Sequence, residues 1–313
     1  MGKISSLDIL TSAKNEGSNL VELYKRVSKA LEKRELTWRL IICDNDSVDN
    51  TWAVIEELAS GDPRVLGVKM SRDFGFEGAI TGALSLSNAD AVVMMASDLQ
   101  DPPEAITILV DEFESGFDHV FQVVSGRPDS GFIRRLNSRL FYKVAYKLSR
   151  GMIYPNSSIF RIISRDMVSQ LSKMSERNRF TRALVMYLGY RTKAIPIERE
   201  RRSTGKSKAS TRHALALGIK GILANSYGLL DLVGYFGIIV SGIATLTTIV
   251  FAFVWIFVGV PFAGFGLIIG LILLGFGFTF LALGIMAQYL SLIYEEVKAR
   301  PNYVIMKTTQ DSK

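Results

Sequence analysis

The sequence predicts an α/β protein in which a parallel sheet is followed by two membrane-spanning helices. Residues 1–190 alternate strand-like apolar runs with amphipathic helical stretches, at the spacing typical of βαβ units. Residues 232–294 contain no Asp, Glu, Lys, Arg or His. About 20 apolar residues cross a bilayer core, so this uncharged span is long enough for two crossings.

The sheet and its covering helices can be assigned in chain order. Four apolar runs predict strands: LDILTSAK, WRLIICD, VLGVKMS and AVVMMAS. Between the first two lies SNLVELYKRVSKALEKR, whose apolar residues recur at helical spacing, with Ser18 or Asn19 as the expected cap. TWAVIEELAS predicts the second helix. A Gly- and Ala-rich stretch predicts the third, where Gly75, Gly78 and Gly82 would allow close packing.

Polar residues follow three of the four strands, at the points where the strands end. They occupy positions 14–16, 44–46 and 98–101. The last group lies in VVMMASDLQDPPE, where two prolines prevent the strand from continuing. Parallel sheets bind ligands beyond the carboxyl ends of their strands, so we expect these side chains to surround one ligand site.

Two nucleotide-binding motifs and a zinc site find no support in the sequence. The first turn reads AKNEGSNL, without the G-x-G-x-x-G of dinucleotide-binding folds, and no P-loop motif occurs. The chain has one cysteine, Cys43, and two isolated histidines, His119 and His213, which we expect at the surface. This composition excludes an internal disulfide and disfavours a zinc site.

Clustered carboxylates at strand ends suit a nucleotide-sugar site instead. Carboxylate and amide groups bind a base and ribose hydroxyls, and one carboxylate holds Mg²⁺ or Mn²⁺ on the diphosphate. These cations take few protein oxygens and complete their shell with water and phosphate. One well-placed aspartate is therefore sufficient.

The basic residues are concentrated just before the first apolar helix. Residues 191–220 contain nine Lys or Arg and two Glu, an excess equal to the net charge of +7. Lys298 and Arg300 follow the second helix. Because positive flanks stay in the cytoplasm, we expect both termini inside and residues 259–264 outside. The same basic residues are expected to meet anionic headgroups, and no nucleic-acid partner is expected.

Six segments occur in an order that is typical of one family: SLDILTSAKNEGSNL, IICDNDSVDNT, VKMSRDFGFEGAITGAL, MMASDLQDPPE, SERNRF and RRSTGKSK. Followed by two apolar helices, they resemble the bacterial polyisoprenyl-phosphate glycosyltransferases, the dolichol-phosphate-mannose-synthase-like members of glycosyltransferase family 2. The resemblance implies a Rossmann-like GT-A fold and a UDP-sugar donor, with glucose as the first candidate. It also implies Mg²⁺ or Mn²⁺ and a polyisoprenyl phosphate acceptor such as undecaprenyl phosphate.

The expected domain order follows from the resemblance and the apolar pattern. A cytoplasmic GT-A domain covers 1–208 and a juxtamembrane amphipathic helix covers 209–230. Membrane helices cover 231–258 and 264–292, and a cytoplasmic tail covers 293–313. The protein is expected in the bacterial inner membrane, as a homo-oligomer whose apolar helices pack through their glycines.

The resemblance also implies roles for individual residues. Asp98, Arg202 and Lys208 are expected to be catalytic. Gln100 and Asp101 are expected to join Asp98 in binding the metal. The expected acceptor-phosphate residues, on or beside an amphipathic helix, are Arg127, Arg135 and Arg139. The expected nucleotide-binding residues are Ala13, Asn15, Glu16, Asp44, Asp46, Ser97 and Asp98.

The sequence departs from the family pattern at three places. Ala96 replaces the first acid of the Asp-x-Asp motif, and residues 44–47 read Asp-Asn-Asp-Ser in place of Asp-Asp-Gly-Ser. Ile159 stands where an Asp often precedes Phe-Arg. A phosphate acceptor is already largely anionic near neutral pH and needs no general base. The missing acid at Ile159 is therefore compatible with an in-line, inverting transfer.

Two other functions stay open. One is a membrane glycosyltransferase with a different acceptor, either a processive polysaccharide synthase or an enzyme acting on a sugar hydroxyl. The sequence offers it neither a Q-x-x-R-W motif nor a clear general base. The other is an inactive membrane scaffold, which Ala96 favours and which the retained Asp98, Gln100 and Asp101 oppose.

Overall fold

The computed structural model describes residues 2–124, 151–200, 228–258 and 265–311, together with Tyr146 and Ser149. The strands in these ranges are β1 (Ser6–Ala13), β2 (Thr37–Asp44), β3 (Val65–Met70), β4 (Ala91–Ala96), β5 (His119–Val124), β6 (Ser157–Ser164), β7 (Thr192–Ile197) and β8 (Ile305–Thr308). The helices are α1 (Gly17–Leu31), α2 (Thr51–Gly61), α3 (Gly75–Leu84), α4 (Ile106–Glu114), α5 (Arg165–Lys173), α6 (Thr181–Tyr187), α7 (Gly228–Val258) and α8 (Phe265–Lys298). The described strands form one sheet in the order β7-β5-β6-β4-β1-β2-β3-β8.

Strands β1 to β4 and the helices between them follow the predicted pattern. β1 pairs in parallel with β2 and β4, and β2 pairs in parallel with β3. The register places Ala13 beside Asp44, and Ser12 beside Ala96. The carboxyl ends of these strands therefore meet at the edge of the sheet where the sequence predicts the ligand site.

The sheet is mixed, so the prediction of a parallel sheet is wrong for β6 and β8, whereas β5 and β7 pair in parallel with each other. β6 runs antiparallel to both β4 and β5, and β8 runs antiparallel to β3 at one outer edge. Alternating apolar and polar residues identify a strand but carry no information about its direction. The direction of β6 and of β8 depends on the end of the sheet from which the chain enters each strand.

Helices cover both faces of the sheet and build two apolar cores. On one face, α1, α2 and α4 pack against sheet residues such as Leu40 and Val93. On the other, α3, α5 and α6 pack against residues such as Leu10 and Val92. Neighbouring strand residues point to opposite cores because the strand is pleated. The two cores hold the strand ends as a rigid base for the candidate site.

Gly78 and Gly82 allow close packing, as predicted, against the C-terminal segment as well as Phe74 and Met70, whereas a Cβ on Gly75 would meet no atom within 4 Å. A Cβ atom on Gly78 would lie 2.6 Å from the carbonyl oxygen of Asn302, and one on Gly82 would lie 3.1 Å from the Tyr303 ring. Any side chain at Gly78 would therefore displace the backbone beside it. Gly75 has a φ of 70°, a conformation that glycine adopts without strain.

Two long helices follow the α/β part. α7 has 31 residues and α8 has 34. The two helices are in contact through Phe236 of α7 and Phe278 of α8, whose ring centroids are 4.9 Å apart. Among the described residues, the segment Gly275–Lys298 is long and apolar enough to cross a membrane, and none of its most apolar stretch is buried. The second crossing stays a prediction. The juxtamembrane helix predicted over 209–230 lies, up to residue 227, outside the described residues.

Two local predictions are wrong. His119 is not at the surface, because it is fully buried on β5 with its ring stacked on Phe121 at 5.1 Å. Burial, and then the charge of Arg161, lower the pKa of His119 well below its ordinary value. The N-cap residue of α1 is Glu16, not Ser18 or Asn19. The carboxylate of Glu16 accepts a hydrogen bond from the side-chain amide Nδ2 of Asn19 at 2.6 Å. The second histidine, His213, lies outside the described residues.

Candidate active site

The turns after β1 and β2 are tied to each other. Asn15 has a φ of 55°, and its Oδ1 accepts a hydrogen bond from the Val48 N–H at 2.9 Å. The N–H of Asn15 donates to Ser47 Oγ at 2.9 Å. The next N–H, that of Glu16, donates to Thr51 Oγ1 at 3.0 Å. Two residues predicted to bind the nucleotide, Asn15 and Glu16, are therefore fixed beside the carboxyl end of β2.

Asp44 ends β2 and has no exposed surface. Its Oδ1 accepts the Ser47 N–H at 3.1 Å, whereas its Oδ2 is buried without a hydrogen-bond partner among the residues that the structure describes. An unpaired buried carboxylate oxygen costs free energy, so this oxygen is available to a donor group from outside the described residues. Ala13 lies beside Asp44 in register, and Asp46, with a φ of 61°, is exposed on the same turn.

Asp73, which sequence analysis missed, belongs to the same group of side chains. It is ion-paired with Lys14, and its Oδ1 accepts from Asn45 Nδ2 at 2.6 Å and from the Gly75 N–H at 2.8 Å. Burial opposes ionisation of Asp73, but these contacts outweigh it, that of Lys14 most, and hold its pKa below the ordinary value. The signal in the sequence is SRDFG, which follows β3 just as the predicted polar groups follow their strands.

The turn after β4 presents Asp98 at the same edge of the sheet. Buried Ser97 fixes this turn to β1, because its Oγ donates to the Ser12 carbonyl at 2.9 Å. Asp98 is half-buried, and its Oδ1 accepts the Gln100 N–H at 3.2 Å. The φ of 59° at Leu99 lets that side chain enter the core. β1 lies between β2 and β4, so the turns bearing Asp44 and Asp98 are about 10 Å apart, two strand spacings.

Asp101 is buried, and its carboxylate is used within the protein. It binds Arg199 Nε at 2.8 Å and accepts a hydrogen bond from Ser158 Oγ at 3.2 Å. Burial raises the pKa of Asp101, and the charge of Arg199 opposes that shift. Both carboxylate oxygens are engaged in this way, so the geometry gives no support to the predicted metal-binding role of Asp101.

The segment after β7 is docked on the same turn. The Glu200 N–H donates to the Gln100 carbonyl at 2.9 Å, and the Glu200 carboxylate binds Arg26 at 2.7 Å. The predicted phosphate-binding residues Arg202 and Lys208 come shortly afterwards and lie outside the described residues. The predicted acceptor-phosphate residues Arg127, Arg135 and Arg139 also lie outside the described part of the chain.

Two positions where the sequence lacks an expected acid are neighbours in the fold. β4 and β6 pair in antiparallel register with Met94 opposite Arg161. Continuing that register places Ala96 opposite Ile159, and both side chains pack against the same apolar core. Arg161 itself is fully buried, and its Nε and Nη1 have no hydrogen-bond partner within the described ranges. Burial lowers the pKa of Arg161 to about 9.

Comparison with known proteins identifies the family. The model of glycosyl transferase family 2 matches residues 8–172, more than half of the chain. The chain belongs to glycosyltransferase family 2. The GT-A class expected for the α/β part is thereby confirmed, with a mixed sheet in place of a parallel one.

Relatives of this family 2 glycosyltransferase match it over most of its length. The SfII prophage-derived bactoprenol glucosyl transferase of Shigella flexneri is 31% identical, over 94% of this chain and 95% of that protein. The uncharacterized glycosyltransferase YkcC of Bacillus subtilis is 28% identical, over 98% of this chain and 95% of that protein. A solved glucosyl-3-phosphoglycerate synthase of Mycobacterium tuberculosis, in complex with Mn²⁺, UDP-glucose and phosphoglyceric acid, is 18% identical with a TM-score of 0.47, covering 70% of this chain and 78% of that chain.

This family 2 glycosyltransferase offers one carboxylate suited to a divalent cation. In the described part of the chain, no three or more His, Cys, Asp and Glu side chains gather closely enough to hold a metal. Half-buried Asp98 is a hard oxygen donor at the sheet edge, whereas Asp101 is paired with Arg199. This donor set fits Mg²⁺ or Mn²⁺, which need few protein oxygens when phosphate and water complete the shell. A zinc ion would require three or four protein ligands.

Proposed function

We propose that this family 2 glycosyltransferase transfers a sugar from a UDP-sugar to a polyisoprenyl phosphate at the cytoplasmic face of the membrane. One observation carries the proposal. A single edge of the sheet carries both the half-buried Asp98 and an Asp44 oxygen that has no hydrogen-bond partner among the described residues, in a chain that also has an exposed apolar helix. The relative named as a bactoprenol glucosyl transferase supports the acceptor, and it supports glucose as the first candidate sugar.

The nucleoside end of the donor is assigned to the turns after β1 and β2. Asp44 Oδ2 would accept an N–H or O–H of the nucleoside, and Asn15 and Glu16 would border it. A hydrogen bond to a buried charged acceptor contributes about 1.5–3 kcal/mol, enough to select a ligand that supplies the donor group. The exposed Asp46 would lie at the rim of this part of the site.

The diphosphate end is assigned to the turn after β4. Asp98 would hold Mg²⁺ or Mn²⁺, and Gln100 lies beside it. When bound, the cation neutralises negative charge on the departing nucleoside diphosphate. Arg202 and Lys208 would add positive charge, because the chain is fastened to this turn only two residues before Arg202.

The acceptor phosphate needs no proton removed before it attacks. A phosphate monoester carries between one and two negative charges near pH 7, so one of its oxygens is already a nucleophile. It attacks the anomeric carbon from the face opposite the diphosphate. The new C–O bond forms as the bond to the diphosphate breaks, UDP leaves, and the configuration inverts. The apolar pair Ala96 and Ile159 is compatible with this reaction, and Arg127, Arg135 and Arg139 would steer the acceptor.

We assign both long helices to the membrane, with both termini in the cytoplasm. α8 contains the segment that is long and apolar enough to cross a bilayer. α7 has 31 residues, and its sequence is uncharged from residue 232 onward. The basic residues of 191–220 and those after α8 would then lie on the cytoplasmic side. Assembly into a homo-oligomer stays a prediction.

A transfer assay with the purified, detergent-solubilised protein tests the proposal. Undecaprenyl phosphate is supplied with Mg²⁺ or Mn²⁺ and one radiolabelled UDP-sugar at a time. We expect a labelled product that extracts into organic solvent with one of the donors and disappears with EDTA. Transfer to a sugar hydroxyl but not to the lipid phosphate would favour a different acceptor. UDP binding without transfer to any acceptor would favour the scaffold.

Replacement of Asp98 shows whether turnover depends on the proposed site. Asp98→Asn keeps the shape of the side chain but removes its charge, so turnover should fall by roughly 100-fold or more. Asp166→Asn is the matched control, because Asp166 is an exposed acid at the start of α5, beyond the other end of β6. Equal turnover in the two variants would exclude the assigned role of Asp98.

A further inference from the structure

The C-terminal segment fastens the cytoplasmic end of α8 to a loop of the catalytic domain. Glu296 Oε1 accepts the N–H groups of Arg177 and Asn178, at 2.6 Å and 3.3 Å. In return, Arg177 Nη2 donates to the Ala299 carbonyl at 2.9 Å. Asn302 Nδ2 donates to the Glu176 carbonyl at 2.7 Å. Residues 296–309 are called the C-terminal strap below.

The middle of the C-terminal strap packs on α3 where that helix lacks side chains. The Asn302 carbonyl oxygen lies only 2.6 Å from the position that a Cβ on Gly78 would take, and the Tyr303 ring lies 3.1 Å from the corresponding position on Gly82. α3 begins at Gly75, two residues after Asp73, which is bound to Lys14 and Asn45. The strap therefore contacts a helix that starts at the nucleotide end of the site.

The far end of the C-terminal strap completes the sheet. The Ser71 N–H donates to the Val304 carbonyl at 3.0 Å, and β8 then pairs with β3. Gly67 exchanges two hydrogen bonds with Thr309, each of 3.0 Å. Lys307 forms an ion pair with Glu56 on α2 at 2.9 Å. Only residues 299–304 join α8 to β8. This short segment is held at one end by the contacts with residues 176–178, in the middle by α3, and at the other end by β3 and α2.

The loop held by the C-terminal strap is connected to the turn that carries Asp98. Thr181 donates to the Glu77 carboxylate through its N–H at 2.9 Å. Arg182 Nη1 donates to the Ser157 carbonyl at 3.1 Å, at the start of β6. The next residue of β6, Ser158, is hydrogen-bonded to Asp101 in the turn that carries Asp98. A chain of hydrogen bonds and short peptide segments thus joins the end of α8 to that turn.

We propose that the C-terminal strap sets the height and orientation of the catalytic site relative to α8, with Glu296 as a positioning residue. The proposal rests on the proposed function, in which the acceptor phosphate is confined to the membrane surface. Without the hydrogen bonds and the ion pair of the C-terminal strap, the six residues 299–304 could span up to about 20 Å. The catalytic site could then take many positions above the bilayer. Misplacement of reacting groups by about 1 Å can cost roughly 100-fold in rate.

Three variants at the end of α8 test the role of Glu296. Glu296→Ala removes the acceptor of two backbone N–H groups. Glu296→Gln keeps an oxygen that can accept them, and Glu295→Ala changes an exposed neighbour. Each is assayed in proteoliposomes containing undecaprenyl phosphate, and UDP affinity is measured by calorimetry. We expect Glu296→Ala to lower transfer by about 10-fold or more with UDP affinity unchanged, Glu296→Gln to restore most of it, and Glu295→Ala to match the wild type.

Hydrogen exchange of the Arg177 and Asn178 amides separates this proposal from the proposed function, because it needs no turnover. Their exchange should accelerate in Glu296→Ala and stay slow in Glu296→Gln. Unchanged exchange in Glu296→Ala would overturn the proposal, whatever the wild type transfers. Accelerated exchange with wild-type transfer to the membrane acceptor would overturn it as well. The wild-type protein alone decides the proposed function, through its product with undecaprenyl phosphate.

Two Gly→Ala variants test the contact between the C-terminal strap and α3. Gly78→Ala places a methyl group 2.6 Å from both the Asn302 carbonyl oxygen and the Phe74 Cβ, and should push the C-terminal strap away from α3. Gly61→Ala, on α2, adds the same methyl group in open space and is the matched control. Transfer in proteoliposomes should fall in Gly78→Ala only. Equal transfer by the two variants, at equal UDP affinity, would contradict the proposal.

Discussion

Asp101 and Arg199 form an ion pair that fastens the segment after β7 to the turn after β4. The Arg199 Nε lies 2.8 Å from Asp101 Oδ1, and Asp101 has no exposed surface. Ninety-eight residues of sequence separate the two. The pair matters for the site because Arg199 stands three residues before Arg202, the first residue of the predicted phosphate-binding motif.

Breaking this pair should destabilise the protein. Asp101→Asn leaves the guanidinium of Arg199 without its charge partner. We expect a loss of about 1–3 kcal/mol, less than the ~3–5 kcal/mol of a wholly buried pair, because the Arg199 side chain is 31% exposed. Unfolding in detergent measures it. The double variant Asp101→Asn/Arg199→Met should lose less than the sum of the single losses, and strict additivity would show that the pair contributes nothing.

Asp44→Asn should weaken donor binding while leaving the fold intact. The amide can still accept the Ser47 N–H through its oxygen, but it places N–H donors where the buried, unpartnered oxygen stands. A ligand donor would then meet another donor, and UDP affinity should fall by about 10-fold or more. Calorimetry with UDP measures the change, with Asp166→Asn as the control. Wild-type affinity in Asp44→Asn would rule out the assigned contact.

The buried guanidinium of Arg161 should accept an acid at position 159. Ile159 and Arg161 are two residues apart on β6, so their side chains point to the same face. Ile159→Asp can pair with Nε or Nη1, which have no hydrogen-bond partner in the described part of the chain, whereas Ile159→Asn brings the same shape without the charge. At pH 7 the Asp variant should be more stable than the Asn variant by about 1–3 kcal/mol. Thermal unfolding compares them, and the reverse order would count against an available partner at Arg161.

Acidic pH should destabilise the protein through His119. Its folded-state pKa lies well below 6.5 because the ring is buried and, secondly, because the positive charge of Arg161 disfavours protonation. Below pH 6.5 the unfolded chain takes up a proton that the folded protein does not, so stability falls by up to about 1.4 kcal/mol per pH unit. Above pH 6.5 the effect disappears.

His119→Phe removes that titration and keeps a ring against Phe121. The difference in unfolding temperature between pH 7.5 and pH 5.5 should be smaller in this variant than in the wild type. An equal difference in both proteins would mean that other groups cause the acid sensitivity.

The first half of the fold is predictable because its signals are local. β1 to β4 are continuous apolar runs that end in polar residues, and those ends meet as the sequence indicates. The partners of the polar residues are not local. The resemblance predicts that Asp101 binds a metal, and the pairing of Asp101 with Arg199 is visible only once β7 lies beside β5. The burial of His119 is not predictable either. This residue begins a strand that is buried on both faces, but a single histidine in a short apolar run gives no indication of its own burial.

The strand that closes the sheet edge illustrates the same limit. β8 is the four-residue run IMKT in a segment that reads as a polar tail. Nothing in its sequence indicates that it pairs with β3, because that partner lies far back in the chain. The glycines of α3 do indicate a close neighbour, but they do not say which segment it is.

The position of β8 also dictates an order of synthesis. Gly67 and Thr309 are separated by 242 residues, so a ribosome needs roughly 10–50 s between them at about 5–20 residues per second. During that interval the nascent β3 edge is open, and an open edge is a template for pairing with the wrong chain. Both long apolar helices emerge in the same interval. In the nascent chain, β8 can therefore pair with β3 only after both helices that would enter the bilayer have been synthesised.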